Sequence, residues 1–261
     1  MLRNRARLLG FAGVIVFAGC GPTPDGVASE VDAAAVDAKA AVDAPATDGP
    51  DAPPGLECNH LVAQVRDFKK THPDFESFTA DGVYPGLVQP MLGGDGKPVY
   101  APAGPTPHTS GPAGFAQWYH DTDGVNLRIP VVLALQETAP GRYSFEAPEF
   151  FPIDGRGFGE EGFAHNFHFT TEINTTFTYR GGEVFTFRGD DDLWLFINGR
   201  LAIDLGGLHQ PALQTVDLDA RATELGLQLG HEYPLAIFHA ERHTTLSTFR
   251  IETTIDCFVI P

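Results

Sequence analysis

Three carboxylates in succession, Asp190, Asp191 and Asp192, close the stretch "FRGDDD" and stand at the mouth of the apolar run "LWLFI". Adjacent carboxylates repel by about 1 kcal/mol at 4 Å in water and by several times that near a protein surface. A counter-charge is therefore expected, and calcium provides one with six to eight oxygen ligands at about 2.3–2.6 Å. The alternative is a solvated acidic turn in which Asp192 caps backbone amides. Farther along, "HAERH" sets His239, Glu241 and His243 at alternate positions, which a strand places on one face. Two histidines and a carboxylate can hold zinc or iron; they can equally form a hydrogen-bonded polar ladder. Carboxylates that are neighbours in sequence cannot straddle a glycosidic bond, which needs carboxyl groups at least about 5 Å apart on opposite sides. The chain has no GxSxG, P-loop or HExxH motif, and the "RGD" of Arg188 to Asp190 is three common residues at a strand end. The expectation is a binding protein, not an enzyme.

These groups must be positioned by strands. Asn198-Gly199 is the dipeptide that type I′ hairpin turns prefer, because both positions need positive φ. Pairing Ile197 with Arg200 and counting outward sets Leu193 opposite Asp204, Asp191 near Gly206 and Asp190 near Gly207, so His209 falls beside the acid cluster. "LWLFI" is apolar on both faces, as a central strand of a sandwich would be. Around it run "LVAQVRDF", "NLRIPVVLAL", "GRYSFEA", "NFHFTTEINTTFTYR", "EVFTFRG", "RLAIDLG", "YPLAIFHAE" and "STFRIETTID", rich in Phe, Val, Ile and Thr and separated mostly by Gly, Pro, Asn or Asp. "RDFKKTHPDFES" allows one helical turn, and "MLGGDGKPVYAPAGPTPHTSGPAG" reads as a long Gly/Pro-rich insertion. The predicted fold is all-β, a two-sheet antiparallel β-sandwich carrying that insertion. Trp118, Tyr119 and Trp194 are expected in the core, and His165 and His168 in structural roles.

The chain begins with Arg3, Arg5 and Arg7, an apolar run and "FAGC". That pattern predicts a lipoprotein signal peptide over 1–20, with Cys20 lipidated; without lipidation the protein would be secreted. Residues 21–57 are rich in Ala, Asp and Pro and contain no aromatic residue, which predicts a disordered tether. The formal net charge of -17 excludes nucleic acid and anionic membranes as partners, leaving the lipid as the one membrane contact. Cys58 and Cys257 flank the rest and, in an exported chain, are expected to pair; the alternative is two free thiols.

"VRDFKKTHPDFE", "GFAQWYHDT", "FFPIDGRG", "AHNFHFTTEI", "FTYRGGEVFTFRGDDDLWLFINGRLAIDLGGLH" and "LAIFHAERHTTLSTFRIETT" together resemble the fibro-slime family, in the expected order over nearly all of residues 60 to 255. That family is similar to the protective-antigen-type (PA-fourteen) β-sandwich lectins and adhesins, so residues 58–261 are expected to form one such domain. The resemblance implies a calcium bound by adjacent aspartates joined through a cis peptide, which holds the hydroxyls of a sugar. Carried over by distance from the Asn-Gly turn, that pair is Asp190 and Asp191, and Asp192 stands where the family has glycine. The lectins also draw a ligand, often asparagine, from a later loop; Glu241 is its substitute here. Asn198, His209 and His243 complete the candidate ligand-contacting set.

The expected function is a lipid-anchored protein of the cell surface or outer membrane that binds carbohydrate or extracellular matrix polysaccharide through calcium. Two alternatives remain at this point: a structural slime or matrix component, and a metal-dependent hydrolase built on His239, Glu241 and His243.

Overall fold

The computed structural model describes residues 58–259; the expected signal peptide, Cys20 and the tether lie outside them. Among the described residues the strands are β1 (His60–Phe68), β2 (Asn126–Ala134), β3 (Gln136–Ala139), β4 (Arg142–Ala147), β5 (Phe169–Thr178), β6 (Val184–Gly189), β7 (Asp192–Ile197), β8 (Arg200–Leu205), β9 (Ala212–Asp217), β10 (Glu232–Glu241) and β11 (Phe249–Thr253). They form a six-stranded sheet, β2-β1-β5-β10-β7-β8, and a five-stranded sheet, β3-β4-β11-β6-β9. Neighbouring strands are antiparallel throughout. This is the expected β-sandwich.

Alternation decides which side chains fill the space between the sheets. In β6, Phe185 and Phe187 are buried while Arg188 is exposed, as the period of two in a strand requires. They meet Leu193, Leu195, Ile197, Ile237 and Ile251 in the main core. The other face of β7 is equally apolar, and the reason is not a central position between two sheets: β7 lies next to the edge strand β8. Instead the whole connection from β1 to β2, residues 69–125, folds over the outside of the larger sheet. Its Leu87, Phe115, Trp118 and Tyr119 pack on Trp194, Phe196, Phe238 and Ala240 as a second core. Each such large apolar side chain removed from water contributes roughly 1.5–3 kcal/mol, which holds the insertion in place. Trp118, Tyr119 and Trp194 are thus core residues, as expected.

The helical turn expected in "RDFKKTHPDFES" is absent; β1 runs to Phe68 and is followed by turns in which His72 N donates to Lys69 O and Phe75 N to His72 O. The helices are α1 (Pro112–Phe115), which carries Phe115 into the outer core, and α2 (Leu218–Leu225). Asp217 caps α2 by accepting from Ala220 N at 3.0 Å, and Gly226 ends it at φ 70. The hairpin turn forms as expected, with Asn198 at φ 51 and Gly199 at φ 69. Beyond it a bulge shifts the register, since Phe196 pairs with Leu201 but Leu195 with Ile203. Leu193 therefore lies opposite Leu205 and Trp194 opposite Asp204, one residue away from the simple count. Cys58 and Cys257 form a disulfide with Cα atoms 4.4 Å apart, joining the start of β1 to the segment after β11.

Candidate functional site

Three connections that pass between the two sheets meet at one end of the sandwich. Gly189, Asp190 and Asp191 carry the chain from β6 to β7, residues 206–211 carry it from β8 to β9, and residues 242–248 carry it from β10 to β11. Gly189 is needed for this close approach: a Cβ there would lie 2.8 Å from Thr248 O. Asp191 adopts φ 50, a left-handed conformation that short polar side chains tolerate, and this turns its carboxylate toward the other two connections. Among the described residues the cis peptide is Thr244-Thr245, so the expected cis bond between Asp190 and Asp191 is not found.

Each carboxylate has a distinct set of partners. Asp190 Oδ1 accepts from both N and Oγ1 of Thr248, whereas its Oδ2 is buried with no hydrogen-bond donor. Asp191 Oδ2 accepts from Arg242 N at 3.0 Å and its Oδ1 from His209 N at 3.4 Å. Glu241 is fully buried; Oε1 accepts a long bond from His243 N, and Oε2 has no donor. Asp192 is different and leaves the expected metal-ligand set. Its Oδ1 accepts from Gly207 N at 2.6 Å, and its Oδ2 is 2.7 Å from Arg242 Nε. Arg242 Nη2 also lies 2.6 Å from Oδ2, a contact too oblique to count as a hydrogen bond.

Arg242 cancels one of these charges and leaves Asp190, Asp191 and Glu241 short of compensation. Burial raises the Asp190 carboxyl above its usual range, against the pull of the Thr248 bonds. It raises Asp191 to about 7, with the charge of Arg242 opposing and those of Asp192 and Asp190 adding to the rise. Glu241 is pushed well above the carboxylate range by burial and then by the charges of Asp191 and Asp190. Without a cation, protons must take up the repulsion.

The other candidates are placed elsewhere or already engaged. Asn198 is seven residues from Asp191 along an extended strand, about 23 Å at roughly 3.3 Å per residue, and its Nδ2 donates to Leu225 O; it is a turn residue and not a ligand contact. His209 does sit beside Asp191, but its ring nitrogens lie 3.0 and 2.9 Å from Leu205 O and Gln210 O, so neither is free to meet a cation. His239 is enclosed by Phe150, Phe169 and Phe249, and burial lowers it to about 3. The His243 ring bonds Thr244 O, and Nε2 lies 3.8 Å from Glu76. His239, Glu241 and His243 therefore do not assemble a transition-metal site. Among the described residues no group of three or more His, Cys, Asp or Glu side chains is placed to hold a metal ion.

Asp190 and Asp191 share a cavity of about 290 Å³, lined also by His209, His243 and the loops at 78–81 and 244–246, while Glu241 lies buried behind it. Two contributors escape a reading of motifs. Asp81 is an exposed carboxylate on the cavity wall, carried there by the insertion from more than a hundred positions away in sequence. Arg242 is fully buried over the Trp118 ring at 4.7 Å, and it donates from Nη1 to His108 O and Asp74 O. The alternation that groups His239 with Glu241 puts Arg242 on the opposite face, with Phe238 and Ala240, so the signal was present in the strand period.

Residues 159–256 match the PA14 domain family. Protein psiD of Dictyostelium discoideum is 42% identical over 212 residues, covering 75% of this chain and 41% of psiD. Protein psiR of the same organism is 40% identical over 217 residues, covering 76% of this chain and 21% of psiR. The chain spans between 20% and 41% of the length of such relatives. Among solved structures, a PA14 sugar-binding domain from an RTX adhesin overlaps 75% of this chain and 89% of its own, at TM-score 0.34 and 9% identity. A β-glucosidase from Kluyveromyces marxianus overlaps 74% of this chain and 17% of its own, at TM-score 0.31 and 10% identity. Overlaps this slight add nothing to the strand order of the chain itself.

Proposed function

We propose that this chain, a homologue of the psi proteins with a PA14-related domain of the fibro-slime kind, binds carbohydrate through a calcium ion held by Asp190 and Asp191, with Glu241 beside them. The observation that carries this reading is a set of buried, uncompensated carboxylates, two of whose oxygens, Asp190 Oδ2 and Glu241 Oε2, have no hydrogen-bond donor. Buried polar atoms normally find a partner, and hard anionic oxygens fit calcium. Asp190 and Asp191 would hold the ion, which would offset their repulsion and supply a Lewis acid for sugar hydroxyls. The cavity beside Asp190 and Asp191 gives a ligand access to these carboxylates. The PA14-type domain supports carbohydrate as the ligand class.

The direct test is a glycan array probed with the purified protein in calcium and in chelator. Binding to a defined set of glycans in calcium, lost in chelator and in Asp190→Asn/Asp191→Asn, supports the reading. Glycan binding indifferent to chelator contradicts it. A protein that binds calcium but no glycan would favour a structural slime or matrix component, in which the ion stiffens the three connections. A hydrolase built on His239, Glu241 and His243 has no comparable support, because among the described residues these side chains are not grouped to hold a metal ion. We further read the protein as exported and lipid-anchored through Cys20 at the outer membrane or cell surface. Cys20→Ser should then release it from membranes or block its processing; wild-type protein wholly in the soluble fraction would refute this.

A further inference from the structure

The loop that walls the acid-lined cavity also walls a second one. Thr244, Thr245 and Leu246 line both, and the second, of about 430 Å³, is bounded on its far side by Phe151, Phe163, His165 and Phe167. We propose that this second cavity is a carbohydrate subsite for the ring next in the glycan to the one held at Asp190 and Asp191. The proposal rests on the reading of that acid cluster as a calcium-dependent sugar site.

The aromatic groups are arranged as a fixed platform. The Phe151 and His165 rings stack with centroids 4.0 Å apart and planes 4° from parallel. Asp154 fixes the histidine end, with Oδ2 2.6 Å from His165 Nδ1 and Oδ1 accepting from Asn166 N at 2.8 Å. Phe167 sets its ring at 79° against Phe151 and 81° against His165. Phe151, Phe163 and His165 all remain partly exposed, and Leu246 is 50% exposed. Exposed apolar groups gathered round a cavity, as opposed to scattered singly, mark a binding surface.

The chemistry of the two cavities is complementary. A neutral pyranose has hydroxyls at its rim and a face made of C–H groups, which are the electropositive partners that the negative face of an aromatic ring attracts. The first cavity offers carboxylates, suited to hydroxyls through a cation. The second offers aromatic faces with Glu149 and Thr245 at the edge, the apolar lining with few polar groups that small-molecule pockets show, and its volume lies within their usual range of roughly 300–1,000 Å³. A saccharide leaving the first cavity crosses a single loop to reach the second.

The test compares wild-type protein with Phe151→Ala and, separately, His165→Ala, on an array and in calorimetric titrations of neutral mono-, di- and trisaccharides in calcium. His165 is partly exposed, so its truncation keeps the test usable should Phe151→Ala fold poorly. The expected result is that di- and trisaccharides bind wild type more tightly than the monosaccharide. Either variant should lose about tenfold on the longer saccharides, a difference of about 1.4 kcal/mol, and keep the wild-type monosaccharide affinity and calcium dependence. Unchanged affinity for the longer saccharides in both variants, or an equal loss on the monosaccharide, overturns the subsite. Calcium-dependent monosaccharide binding that never improves with chain length removes the subsite alone. Wild-type protein that binds no saccharide removes both this proposal and the reading beneath it.

Discussion

Arg242 and Asp192 form a fully buried ion pair, Nε to Oδ2 at 2.7 Å, on the outer face of the larger sheet. One residue back along β10 and β7 lie Glu241 and Asp191, which have no such cation of their own. The pair also fastens the insertion, because the same guanidinium donates to His108 O and Asp74 O. The consecutive aspartates thus do two jobs: Asp192 holds the fold, while Asp190 and Asp191 face the cavity.

Removing one member of that pair strands the other. Arg242→Met leaves Asp192 buried and unpaired, which costs roughly 3–5 kcal/mol. At about 2–4 °C per kcal/mol for a domain of this size, the melting temperature in chelator should fall by on the order of 10 °C. Adding Asp192→Asn should recover part of the loss. A single variant that melts with wild type would show that the pair does not hold the insertion.

The pH dependence separates the acid cluster from the rest of the fold. Asp191 is raised to about 7, above about 3.9 in the unfolded chain. Its contribution is therefore fully present below about pH 4 and is lost as pH rises through about 7. His239, lowered to about 3, acts in the opposite sense: its contribution is present above about 6.5 and is lost as pH falls toward 3. The two trends overlap, so melting temperature alone will not isolate either. The difference between calcium and chelator will, because calcium competes with protons for the carboxylates. That difference should grow between pH 5 and 8 and vanish in Asp191→Asn; a calcium increment independent of pH would contradict the account.

The Cys58–Cys257 bridge closes a loop with a sequence separation of 199 residues. In the chain-entropy treatment a closure of that length is worth about 5 kcal/mol, and measured values often fall short. Cys58→Ser/Cys257→Ser should lower the melting temperature by several degrees with the sandwich intact by circular dichroism, and oxidised peptide maps should link the two cysteines. Two freely alkylated thiols in unreduced protein would refute the bridge.

Much of this was legible in the sequence because strand periodicity and turn chemistry are local signals. The Asn198-Gly199 turn, the alternation of Phe185 and Phe187 and the position of the two cysteines needed no tertiary knowledge. What was missed depends on distant packing. The bulge between Leu195 and Phe196 shifts a register that a count from the turn cannot foresee. The edge strand β9 was missed because "ALQTVD" buries little, and α2 because the helix is only two turns long, although Asp217 and Gly226 mark both its ends. "LWLFI" was recognised as buried on both faces and Trp118 and Tyr119 as core residues, but that these two, with Phe115, cover its second face depends on how the connection from β1 to β2 folds back, which no local pattern shows. Asp192 could not be told from Asp190 and Asp191 without Arg242 to claim it.

Calorimetric titration of calcium into metal-stripped wild-type protein at pH 7.5, alongside Asp190→Asn/Asp191→Asn and Asp192→Asn/Arg242→Met, tests the central claim most directly. The account predicts one saturable calcium site per wild-type chain. It predicts none in Asp190→Asn/Asp191→Asn and a retained site in Asp192→Asn/Arg242→Met. Calcium at a hundred times its Kd would then stabilise the fold by about 2.7 kcal/mol. No heat of binding in folded, metal-stripped wild type, or binding that survives the loss of Asp190 and Asp191, would contradict it.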